Sequence, residues 1–177
     1  AVLNADFARM NADTANTPPA FRSPAGASTI QFCPATRDPN GNWTNGITRR
    51  QVTVNGFDPL TNDNVKYTAL GGTDAWPTSD YLNIWICNFN GASAGLLGIS
   101  QMPGLAPATD GCVVLFGTVG GFTSPGTMID FNHGRTLTHE VGHWLALYHI
   151  WGDDGNACTG TDHVNDTPNQ ADENYGC

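Results

Sequence analysis

Lysine is nearly absent from this chain. Lys66 stands alone, and with six arginines it makes seven basic residues against sixteen acidic ones, a net charge of −9. That balance excludes a nucleic-acid binder, whose affinity rests on basic side chains neutralising phosphates. No run of 18 apolar residues occurs, so no segment reads as a membrane-spanning helix. No charged stretch followed by an apolar one opens the chain. For a secreted protein, the expectation is that leader and pro-segment are already removed and Ala1 is a processed N-terminus. Methionine is scarce as well: Met10, Met102 and Met128 are all there is. No internal repeat and no linker breaks the sequence.

What remains describes one folded unit. With 177 residues, 40% of them apolar, the chain can bury a sizeable core in a single domain. The 21 glycines and 11 prolines predict many turns and long loops. The acidic surplus suits calcium sites and attraction of basic peptides. Short β-branched or aromatic runs predict strands over 29–33, 82–89, 96–102 and 113–116, with 47–54 as a further strand or loop edge. Helices are expected over 136–147 and near 2–13 or 60–68, with Asn132 or Thr136 capping the first of these. Strands followed by one strong helix make an α+β chain.

The chemistry concentrates in His139-Glu140-Val141-Gly142-His143-Trp144-Leu145-Ala146-Leu147-Tyr148-His149, which holds three of the five histidines. Residues four apart on a helix lie about 40° apart around the axis, so His139 and His143 can reach one metal ion. Glu140 lies between them in sequence and can work on a water as general base without being a ligand. His149 is different. In an unbroken helix it would lie about 9 Å beyond His143 along the axis. It can be the third ligand only if the helix ends soon after His143 and the chain turns back. Motifs of the HExxHxxGxxH type place glycine at the position of Ala146, where positive φ has no steric cost. A left-handed alanine costs about 1–2 kcal/mol. Three outcomes stay open: a turn built differently, a strained site, or a His149 that is not a ligand.

This run resembles the zinc helix of the metzincin metallopeptidases. With His149-Ile150-Trp151-Gly152-Asp153 it resembles the pappalysin (cytophagalysin-type) family within that clan. Asn4-Ala5-Asp6-Phe7 with Asn11-Ala12-Asp13, Tyr81 to Asn88, Gly95 to Gly98 through Pro103-Gly104, and Ala108 to Gly111 are similar to further blocks of it. The resemblance implies a metzincin-like zincin of class α+β. Its twisted, mostly parallel five-stranded sheet would carry a backing helix and the active-site helix. It implies a zinc endopeptidase with Zn²⁺ on His139, His143 and His149 and Glu140 as base. It also implies Ca²⁺ on the acidic segment, carried by position onto Thr161, Asp162, Asn165 and Thr167. An extended peptide substrate would pair with the edge strand at Gly98 and Ser100. A disulfide is implied between Cys158 and Cys177, which bracket a polar segment; closing it is worth about 3 kcal/mol in the chain-entropy model. Cys33, Cys87 and Cys112 are left without assigned partners. Such a bridge suits a secreted, extracellular protein.

The family's methionine turn, downstream of the third histidine, has no counterpart here. Residues 1–177 are therefore expected to be one catalytic domain, its N-terminal subdomain plus the start of the C-terminal one. A second polypeptide fragment is expected to complete it. The alternatives are a degenerate, non-catalytic zinc- or calcium-binding module, and a metallopeptidase using Glu173 as third ligand.

Overall fold

The structure is a computed structural model and describes residues 2–155, 157–165 and 167–173. Its sheet has three strands: β1 (Ile84–Cys87), β2 (Gly98–Ser100) and β3 (Cys112–Leu115), in the order β1-β3-β2. The sequences Ile-Trp-Ile-Cys and Cys-Val-Val-Leu are bulky and β-branched, as a buried pleated surface requires. β3 runs parallel to β1, with Val113 opposite Trp85. It runs antiparallel to β2, with Val113 also opposite Ile99. Gly111 feeds β3 at φ +136, and a Cβ there would lie 2.2 Å from the carbonyl oxygen of Asn83. Only glycine fits that turn.

Alternation along the strands separates two faces. Trp85, Val113 and Ile99 point to one side, where Phe57, Val65 and Phe89 complete a buried core. Cys87 and Leu115 pack against the same cluster. The other face is covered by helix, but only in part. Of the three α-helices among the described residues, α1 (Val2–Phe7), α2 (Pro19–Arg22) and α3 (Arg135–Trp144), it is α3 that lies on β2 and β3. Val114 and Val141 are fully buried there. β1 receives no such cover, and Ile84 and Ile86 are 37% and 54% exposed.

The class is α+β, as expected; the central and edge strands lie within their predicted spans, and the third starts one residue before its predicted span, at Cys112, and ends at Leu115. Five strands and a long backing helix are not found among the described residues. Residues 29–33 join no strand; at Phe32 a side chain stands in for a strand partner, Asn4 donating to Phe32 O (2.9 Å) and accepting from Phe32 N (2.8 Å). Residues 47–54 leave Ile47, Val52 and Val54 exposed and join no ladder. α1 stops at Phe7, where Arg9 turns left-handed (φ 53). Residues 60–68 form only 3-10 turns, Asn64–Lys66 and the start of Thr68–Leu70. There the side chains of Asn62 and Asp74 bond the backbone N–H groups of Asn64 and Thr68, offering the chain an alternative to helix.

Candidate metal centre

α3 carries the site and begins at a glycine. Gly134 occupies the N-cap position at φ 82, and a Cβ there would meet Gly120 O at 2.6 Å. Neither Asn132 nor Thr136 caps the helix; Thr136 is buried inside the first turn. Close backbone approach, rather than a side-chain bond, sets where this helix starts. Its position is tied from both ends. Arg135 pairs with Asp6 (3.0 Å) and Asp13 (2.8 Å), and Thr138 donates to Asp6 at 2.7 Å. Trp144 Nε1 donates to Asp110 at 2.9 Å.

The helix ends at Trp144, and the ending decides the geometry of the site. Ala146 N donates to His143 O (2.8 Å) and Leu147 N to Gly142 O (2.9 Å), the paired bonds of a Schellman cap. Ala146 sits at the left-handed residue of that cap, φ 70. The turn is thus the one glycine usually makes, made by alanine instead. It reverses the chain and brings His149 back to α3.

The three imidazoles converge. Nε2 of His143 lies 3.0 Å from Nε2 of His139 and 3.1 Å from that of His149, and the third side of the triangle is 3.2 Å. Zinc–imidazole bonds of about 2.0–2.1 Å at tetrahedral angles give ligand N···N edges of about 3.3–3.4 Å. Three imidazole nitrogens at this spacing fit one such ion, and the donor set suits zinc. Burial, then the neighbouring His143 and His149, holds the His139 pKa below its usual value and so keeps the ring in its neutral, ligating form. His143 Nδ1 bonds Leu147 O at 2.8 Å, and His149 Nδ1 bonds Asp153 at 2.9 Å.

Glu140 packs against the sheet at Gly98 and is 5% exposed. Burial pushes its pKa from 4.5 to about 7. The side chain fits because Gly98 has none: a Cβ at Gly98 would lie 2.6 Å from Glu140 Oε1 and 2.7 Å from its Cγ. Gly98 and Ser100 both lie on edge strand β2. Gln101 N bonds Gly111 O and Leu115 N bonds Leu97 O, so odd-numbered residues of this stretch face β3. Gly98 and Ser100 therefore turn their backbone N–H and C=O groups to the open edge.

The remaining predicted site residues are less assembled. Asp162 is buried and accepts from Val164 N at 3.0 Å. This bond, partly opposed by desolvation and joined by one from the Thr167 hydroxyl, lowers its pKa. Thr161 Oγ1 accepts from His163 N, while Asn165 is exposed. Cys158 is exposed; its expected partner Cys177 lies outside the described residues. Cys87 and Cys112 are thiols whose pKa burial raises to about 12, and Cys112 Sγ lies 3.2 Å from Ser100 Oγ. Glu173, the alternative ligand, does not join the histidine cluster. Two features escaped the sequence reading. Asp153, quoted there only as the end of the run that starts at His149, bonds His149. Gly98, read only for its strand edge, makes room for Glu140.

Fold and site together present a three-histidine metal centre on a helix, and comparison with known proteins gives the family. Residues 63–176 match the peptidase M43 family, described as pregnancy-associated plasma protein-A. An extracellular metalloprotease of Arthroderma otae is 35% identical over 159 residues, 86% of this chain and 50% of the relative. Another, of Colletotrichum graminicola, is 48% identical over 69 residues, 38% of this chain and 23% of the relative. The structure of Tannerella forsythia mature mirolysin in complex with a cleaved peptide superposes with a TM-score of 0.91 at 52% identity, covering 99% of this chain and 64% of that one. The chain belongs to the peptidase M43 (pappalysin) family, which implies a zinc cofactor. It spans about half the length of the Arthroderma relative and 64% of the mirolysin chain.

Proposed function

We propose that this chain carries the zinc site and general base of a secreted endopeptidase. The observation that carries this reading is the triangle of imidazole nitrogens, 3.0–3.2 Å on a side, on the helix that also buries Glu140. His139, His143 and His149 hold the ion. Zinc supplies Lewis-acid chemistry, polarising a carbonyl and making water a stronger nucleophile at neutral pH. Glu140 accepts a proton from the attacking water and returns it to the leaving amine. A carboxylate of pKa about 7 is matched to that exchange near neutrality. Gly98 and Ser100 hold an extended peptide on the open edge of β2 by backbone hydrogen bonds, on the strand against which Glu140 packs. The cleaved peptide in the mirolysin complex is consistent with a peptide ligand for this fold.

Secretion is supported by the relatives, which are named extracellular metalloproteases. Ca²⁺ bound by Thr161, Asp162, Asn165 and Thr167 would brace the loop after the site, with Asp162 already carrying a lowered pKa. Residues 1–177 make up the N-terminal subdomain and the start of the C-terminal subdomain of one catalytic domain. The length that relatives have beyond this chain completes it, on the same or a second polypeptide, and covers apolar residues such as Leu147 and Ile150, 54% and 48% exposed.

Casein cleavage tests the reading. Cleavage is expected to be abolished by chelator and restored by zinc. Glu140→Ala is expected to keep stoichiometric zinc and to lose at least a hundredfold in kcat. A Glu140→Ala protein with full activity sinks the mechanism. A parent protein that binds zinc and cleaves nothing favours the non-catalytic module.

A further inference from the structure

Three imidazoles and one carboxylate make up the proposed site, and His149 is the imidazole that must be aimed from outside α3. That ring is the one ligand not on a helix, so nothing in α3 fixes its rotation. Two neighbours do. Trp151 stacks on it at 4.3 Å between ring centroids and 9° between planes. Asp153 takes its Nδ1 on both carboxylate oxygens, at 2.9 and 3.0 Å.

The intervening turn makes this possible. Gly152 N closes on His149 O at 3.0 Å, and Gly152 and Asp153 are both left-handed, φ 71 and 54. Aspartate tolerates that conformation better than most residues. A Cβ at Gly152 would lie 2.3 Å from Thr161 N and 2.5 Å from Gly160 C, so the turn packs tightly against the next loop and needs glycine there. Trp151 holds the plane of the imidazole, Gly152 makes the turn, and Asp153 holds its far edge.

We propose that Asp153 is a positioning residue for the metal, acting through His149. Resting on the zinc site proposed above, its carboxylate keeps the His149 proton on Nδ1 and leaves the Nε2 lone pair directed at the position shared with His139 and His143. Leu147 O does the same for His143 from the backbone, at 2.8 Å. The two differ in consequence: a carbonyl cannot be mutated away, whereas Asp153 can. Its charge also makes the imidazole a stronger donor than a carbonyl does. The sequence separation is part of the device. Asp153 follows its histidine by four residues, as a helical pair would, but through two consecutive left-handed residues.

The test is zinc affinity, measured by competition with a chromophoric chelator on the full chain, alongside the visible spectrum of the cobalt-substituted protein. Asp153→Ala is expected to raise the zinc Kd 10- to 100-fold and to alter the cobalt bands. Asp153→Asn keeps an acceptor for Nδ1–H without the charge and is expected to fall between, with Kd raised at least threefold. The Tm of the metal-free Asp153→Asn protein should match the parent's. A zinc Kd within twofold of the parent in both variants overturns the proposal. If Asp153→Ala loses metal-free Tm because the turn collapses, Asp153→Asn decides: weaker zinc binding at unchanged Tm supports the role, and unchanged binding refutes it. A parent chain that binds no zinc would fail the underlying site assignment instead, and is seen in the same titration.

Discussion

Ala146 is a residue in the wrong conformation for its side chain, and replacing it with glycine gives a worked test of how the site is built. The position is the left-handed residue of the Schellman cap that ends α3, at φ 70. An alanine held there costs about 1–2 kcal/mol in contact between its Cβ and the following carbonyl. Glycine removes that cost but loses about 0.4–1 kcal/mol through greater freedom in the unfolded chain. Ala146 is exposed, so its methyl group contributes little burial. The difference leaves Ala146→Gly more stable by about 0.5–1 kcal/mol. In a chain of this size that is about 1–4 °C in Tm. Metal-free protein followed by circular dichroism is the right sample, because zinc binding adds its own stabilisation. The zinc Kd and kcat should stay within twofold of the parent, since glycine makes the same turn. Ala146→Val, with branching at Cβ, should lower Tm. A Tm that falls on Ala146→Gly, or an Ala146→Val protein as stable as the parent, would refute the left-handed cap and with it the path of the chain to His149.

Glu140 should weaken the metal-free fold as pH rises. Its pKa is raised from 4.5 to about 7 by burial, so the folded chain resists an ionisation that the unfolded chain accepts. The penalty starts near pH 4.5, grows to pH 7 and levels off at about 3 kcal/mol, at about 1.4 kcal/mol per unit. Urea unfolding of metal-free Glu140→Gln should show that gain over the parent at pH 8 and almost none at pH 4; an equal gain at both would contradict it. Gly98→Ala should leave zinc bound and cut kcat at least tenfold, because the new Cβ displaces the Glu140 carboxylate; wild-type kcat would show that the base has room to spare. Arg135→Met leaves the buried Asp6 carboxylate without its ion-pair partner. Arg135 is itself 39% exposed along its side chain, so the loss is expected at about 1–3 kcal/mol, read as a lower urea midpoint. A calcium titration at fixed zinc should raise Tm, and no change would count against the loop at Thr161–Thr167.

The site was legible in the sequence to the extent that helix geometry constrains it. Spacing put His139 and His143 on one face, and a rise of about 1.5 Å per residue required the helix to end before His149. The structure ends it where that argument requires, with Ala146 left-handed. The three strands were legible because β-branched and aromatic residues cluster in them. Side chains that stand in for backbone partners were not. Asn4 satisfies Phe32, and residues 29–33 look like a strand in composition but have no strand beside them. The N-cap was missed because steric fit against Gly120 chose Gly134 over hydrogen-bonding candidates nearby. Asp153 is one of sixteen acidic residues, and its place at the end of the run from His149 gave it no role. A count of charges does not show which one a left-handed turn folds back onto a histidine.

X-ray absorption at the zinc edge tests the central claim most directly. The account predicts three imidazole nitrogens at about 2.0–2.1 Å, and the loss of one of them in His149→Ala. A site with two imidazoles and a carboxylate, or a spectrum that His149→Ala does not change, would contradict it.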